Sequence, residues 1–204
     1  MTDIYELIER WNSDEGKPYK GSLIDISNYK PGNLGCMCAQ GQVLHKIGGW
    51  TPERLNNVKQ AVADAETAKL LNISRAHAIL LRNTNDKIDG APAIVLTDPG
   101  KVIGDQWSKL LDFWWHIDAM TEVDWNKVSA AWYAAWSAAV DAAGDAAVDA
   151  AGAAAWDAAV DAACEIQGSE ILKRDGRAFF FLPMFGFNTP DDIPARPDNY
   201  GVEQ

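Results

Sequence analysis

AAWYAAWSAAVDAAGDAAVDAAGAAAWDAAVDAACE, residues 130–165, is nine consecutive four-residue units without a slip. Alanine is the strongest helix former, and over such a run cooperative propagation outweighs the cost of the nucleus. The stretch therefore predicts one long helix, 122–166 with its flanks, which sets the geometry of whatever packs on it. A helix turns once per about 3.6 residues, so a step of four overshoots by about 40° per unit. The third position of each unit, from Trp132 and Trp136 through Gly144 and Gly152 to Trp156 and Cys164, thus winds slowly around the helix in a right-handed sense. Bulky residues occupy the ends of the run. The two glycines leave grooves where a second backbone could approach.

The fourth position carries Asp141, Asp145, Asp149, Asp157 and Asp161, followed by Glu165, and no Lys or Arg lies between Val128 and Glu165. Like charges four apart repel, and acids late in a helix oppose its dipole. Water or a basic partner must therefore face this stripe. A solvated face is the simplest reading, and a contact surface for a cationic partner is the sharper one.

Composition bounds the rest. A chain of 204 residues suits one domain with a buried core. A net charge of −11 opposes direct nucleic-acid binding and attachment to anionic membranes, and favours neutral or basic partners. The alanine tract has an acid at nearly every turn, which excludes it as a membrane span. The N-terminal MTDIYELIERW is acidic and lacks an apolar signal core, and three cysteines build no disulfide framework; a reduced, cytoplasmic setting is expected.

Along the chain, Ile4, Leu7, Ile8 and Trp11 mark one face of a helix over 3–11, and 12–22 reads as a loop. A short strand is expected at 23–27 and a helix over 36–47, stopped by Gly48-Gly49. Thr51-Pro52 is a helix start, and the apolar spacing carries that helix through Val58 and Val62 to Leu71. Another helical segment covers 72–82; 83–100 reads as irregular with a short extended piece at 93–96; 101–120 is helical with a thick apolar stripe. Thr121-x-x-Asp124 resembles a capping box for the repeat helix. The aromatic run 178–187 (AFFFLPMFGF) is expected to dock over core. The predicted architecture is mainly α, an irregular helical bundle with one long Ala-rich tetrad-repeat helix: a single helical domain over 1–187 and an extended or disordered tail over 188–204.

Three sets of residues could carry chemistry. Cys36 and Cys38 open a predicted helix, where thiol pKa values fall, with His45 seven residues beyond. No orienting motif completes a nucleophilic site, so two buried thiols are the plainer reading, and no metal or cofactor is assigned. Arg75 and Arg82 share a helix face and could grip an anion, with His77 pointing elsewhere as a half-buried histidine. Seven of the nine tryptophans lie between Trp107 and Trp156. Trp107, Trp114, Trp115, Trp125, Trp132 and Trp136 read first as core filling around small alanines and second as a cleft that stacks a planar ligand. His116, among Trp114, Trp115 and Ile117, reads as a satisfied core histidine. No Gly-rich phosphate loop is present.

LGCMCAQGQVLHKIGGWTPERL, LLNISRAHAILLRN, the alanine repeat and FLPMFGFNTPDDIPARP together resemble a group of uncharacterised actinobacteriophage proteins that carry AAxD or AAWD arrays of varying length. The resemblance covers most of the chain. It implies a phage origin and a host-cytoplasmic setting, and it transfers no catalytic residue. On these grounds the expected function is an acidic helical interaction protein that binds, and could inhibit, a host or phage protein with a basic surface. A homodimer through the Ala/Gly helix face is also expected. The alternative is a nucleotide-type binding or sequestering protein using the tryptophans with Arg75 and Arg82, and a cysteine-dependent enzyme ranks third.

Overall fold

The computed structural model describes residues 4–13, 16–87, 91–143 and 182–201, with backbone alone at 87, 91, 132 and 135–143. The chain is mainly helical and divides into two compact units, Met1–Trp107 with Pro197–Gln204, and Ser108–Arg196.

The first unit begins with α1 (Ile4–Asn12), whose Leu7, Ile8 and Trp11 are buried as their spacing requires. The expected strand near 23–27 is reduced to one antiparallel bridge, Ile24 to Met37. Pairing stops there because Asp25 caps a 3₁₀ turn at Ile26–Asn28, accepting the Asn28 amide on its side chain. The next helix starts three residues later than expected: α2 runs Ala39–Lys46, with the Cys38 sulfur accepting the Gly41 amide. Gly41 is required, since a Cβ there would stand 2.0 Å from the Leu23 carbonyl oxygen.

Thr51 caps the following helix as predicted, its hydroxyl accepting the Arg54 amide at 3.2 Å. The helix does not continue to Leu71. It breaks at Val58 and Lys59, both extended, into α3 (Pro52–Asn57) and α4 (Gln60–Leu71). The break turns Ala63, Thr67 and Leu71 to the core, leaving Val62 exposed. Asn72 ends α4 in the left-handed conformation, a role its short polar side chain tolerates.

Helix α5 (Arg75–Lys87) extends beyond the expected end at Arg82, and the presumed extended piece at 93–96 lies inside α6 (Ala91–Thr97). Pro92 occupies the first turn, where no amide is missed, and the Thr97 hydroxyl donates to the Ala93 carbonyl. Helix α5 packs on α2, α4 and α6, and α6 on α1. The helix expected over 101–120 is interrupted at Gly104, whose φ of 97° ends α7 (Gly100–Ile103) before α8 (Trp107–Ala119) begins.

Polar side chains are threaded through this core. Asp64 accepts from Gln40, Gln60 and Arg82 at 2.9, 2.9 and 3.3 Å. Gln42 donates to the Leu34 and Met37 carbonyls and accepts from the Trp11 indole. Buried polar groups are tolerable when bonded in this way.

The second unit holds most of α8, then α9 (Glu122–Ala143), a 3₁₀ turn at Leu182–Phe185 that packs on α9, and a second such turn at Pro190–Asp192. The Thr121–Asp124 box is present: Asp124 accepts the Thr121 amide and hydroxyl, and Thr121 accepts the Asp124 amide. The first 14 residues of the alanine repeat, 130–143, are helical; the repeat from 144 on lies outside the described residues. The stretch expected as a tail has no regular structure at 194–197 yet is fastened by side chains. Arg196 bonds Asp112 and the Ser108 carbonyl, Ile193 is buried, and Lys109 pairs with Asp191.

Candidate functional site

Helix α9 meets the aromatic segment after Leu182 at its N-terminal end, and between them and the end of α8 lies a cleft of about 300 Å³. Met120, Val128 and Ala131 line it together with Met184, Phe185 and Phe187. Phe185 is held edge-on by Phe113, with ring centroids 5.0 Å apart, and Trp125 meets its other flank at 6.3 Å. These contacts fix the aromatic wall.

Three titratable groups edge the cleft. Asp124 is committed to the α9 cap and to Lys127 at 3.1 Å; the Thr121 hydroxyl and amide, with Lys127, hold its carboxyl down to about 2. Its charge therefore cancels that of Lys127. His116 is half-buried with Phe187 edge-on at 4.9 Å. Burial lowers its pKa, with the Asp124 charge acting weakly against this, so the neutral ring is favoured. No hydrogen bond reaches its ring nitrogens among the described residues. In place of the satisfied core histidine expected at this position stands a half-buried imidazole that lines the cleft.

Outside the cleft, α9 exposes apolar side chains among the polar Glu122 and Asn126. Val123 is 62% exposed, Tyr133 61% and Trp125 40%, and Ala130 and Ala134 are also exposed. On a helical wheel Val123, Asn126, Ala130, Tyr133 and Ala134 share one side, and buried Val128 lies opposite.

The other candidate residues are dispersed. Cys38 is buried, and burial pushes its thiol up to about 11, opposite to the low value expected of a reactive thiol at a helix start. Burial likewise raises Cys36, whose sulfur donates to the Asn33 carbonyl. His45 donates through Nδ1 to the Trp50 carbonyl at 2.6 Å. Arg75 is exposed on α5, and Arg82 is engaged by Asp64. His77 is 3% exposed rather than half-buried; its Nε2 donates to Val95 O at 2.9 Å and its Nδ1 lies 3.0 Å from the Tyr200 hydroxyl. Trp114 is fully buried, Trp115 and Trp107 are half-buried, and Trp125 is on the surface, so these indoles do not share one environment. The side chains of Trp132, Trp136 and Asp141, and all of Asp145, Asp149, Asp157, Asp161 and Glu165, lie outside the described residues. Among the described residues no three of His, Cys, Asp and Glu gather closely enough to hold a metal ion, and no helix is long and apolar enough to cross a membrane.

Compared with known proteins, the chain matches no family model, no curated protein and no solved structure. The aromatic run expected to dock includes Met184, and its first residues, 178–181, lie outside the described residues; Met120 carried no signal of a site. Methionines leave no periodic signature, and only the turn at Gly186 (φ 83°) brings Phe187 back toward α8.

Proposed function

We propose that this chain is an acidic helical interaction protein, phage-encoded and acting in the host cytoplasm, which binds a protein partner through the outer side of α9. The exposed apolar side chains of that helix carry the reading: Val123 and Tyr133 are each more than three-fifths exposed, while Val128 on the opposite side is buried. Large apolar side chains presented together to water are characteristic of contact surfaces. Charge selects the partner. With a net charge of −11 and an acid in most tetrads of the repeat, a groove with an apolar floor and a basic rim is complementary. A second copy of this acidic chain would meet like charge. The nucleotide-sequestering alternative gains nothing from Arg82, which Asp64 engages, or from Trp114, which is core.

The test compares wild-type protein with a Val123→Asp/Tyr133→Asp double variant, both tagged, in capture from an actinobacterial host lysate at low and high salt. A specific band that fades with salt and is about tenfold weaker or absent with the variant is the expected result. A band retained equally by the variant, or light scattering that shows only self-association, defeats the proposal.

A further inference from the structure

The cleft beside α9 has features that the protein-contact reading does not use. About 300 Å³ is at the lower end of small-molecule sites and too little for a helix. Beside the aliphatic Val128, Ala131 and Pro183, its lining includes four unsaturated or polarizable side chains, Met120, Met184, Phe185 and Phe187. Thioethers and aromatic edges favour flat π surfaces over branched aliphatic ones. The ion pair Asp124–Lys127 leaves no net charge at the rim, and the Asp124 carboxylate already accepts the Thr121 amide and hydroxyl. A charged ligand would have to displace bonds already made. The group without such a commitment is the half-buried His116, whose neutral ring offers one donor and one acceptor.

We propose that the cleft lined by His116, Met120, Met184, Phe185 and Phe187 is a binding site for an uncharged, planar aromatic heterocycle of one or two rings. The ring edge would exchange hydrogen bonds with His116, and the ring faces would lie against the phenylalanines and methionines. The site is independent of the contact face on the other side of α9, so either proposal can fail while the other stands.

The chain contains four methionines, which makes the test direct. In protein labelled with ¹³C at the methionine methyls, Met120 and Met184 report on the cleft, while Met37, fully buried in the first unit, is the internal control. Titration with benzimidazole and with adenine is expected to shift Met120 and Met184 and leave Met37 in place. Ala131→Phe, a change at an exposed helix position lining the cleft, is expected to abolish the shifts without unfolding the protein. His116→Phe keeps an aromatic wall but removes both ring nitrogens, and is expected to weaken binding about threefold to tenfold. Methyls unmoved by either probe, shifts that include Met37, or binding undiminished in either variant each overturn the proposal.

Discussion

His116 and His77 show how far one side chain depends on its surroundings. His77 is enclosed: Nε2 donates to Val95 O, and Nδ1 lies 3.0 Å from the Tyr200 hydroxyl, which also donates to Ser74 Oγ. His116 is half-covered by Phe187 and lacks such partners among the described residues, so burial disfavours its charged form. In a proton NMR titration the His116 midpoint should fall below 6.5, the ordinary value. The sign of the linkage follows. The unfolded chain takes up this proton first as the pH falls, so the stabilisation is complete above about 6.5 and is lost as the pH drops through the lower folded value. A midpoint at or above 6.5 contradicts the burial described. Neither environment could be read from the sequence. Flanking tryptophans suggested core for His116, yet α8 buries Phe113 and Ile117 while leaving His116 between them at the cleft.

Among the helices, propensity marked where they begin better than where they stop. Thr51, with Pro52, and Thr121, with Asp124, cap helices through bonds made within one turn, so their signatures are local and were legible. The break at Val58 and Lys59 was not, because Val58, Val62 and Ala65 keep a plausible helical spacing across it. The core decided that register through a different set, including Asp64. This carboxylate, on α4, is the common acceptor for Gln40 on α2, Gln60 on its own helix and Arg82 on α5. Asp64→Ala would take this acceptor from Gln40 and Arg82, while Gln60 keeps its bond to the Gln40 amide oxygen. Breaking a buried ion pair costs about 3–5 kcal/mol, and partial exposure of the Arg82 side chain (27%) reduces this to about 2 kcal/mol. The expected outcome is a lower urea midpoint at unchanged slope. A midpoint equal to wild type would mean that the network contributes nothing measurable.

Closure of the first unit depends on residues more than a hundred positions apart. The Tyr200 hydroxyl accepts the Ser74 amide at 3.1 Å and lies 3.0 Å from His77 Nδ1, while the Gly201 amide donates to Asn72 O at 2.8 Å. These bonds tie the C-terminal stretch to the start of α5. Tyr200→Phe keeps the ring and deletes the hydroxyl, which takes from the buried Ser74 amide its acceptor at a cost of about 1–3 kcal/mol. Hydrogen exchange at Ser74 and Gly201 should accelerate in this variant while amides of α2 keep their protection. Uniform acceleration in both places would show that the contact supports the entire unit, and no acceleration would show that it is idle. Composition and spacing alone established the helical class, the acidity, the principal caps and the helical start of the alanine repeat, because each follows from chemistry within a turn or from totals over the chain. Tertiary structure alone decided where α4 and α8 begin, that residues 194–201 return to bonded positions, and that His116 faces a cleft. Those outcomes depend on contacts between distant residues, and a single sequence has no local pattern that specifies them.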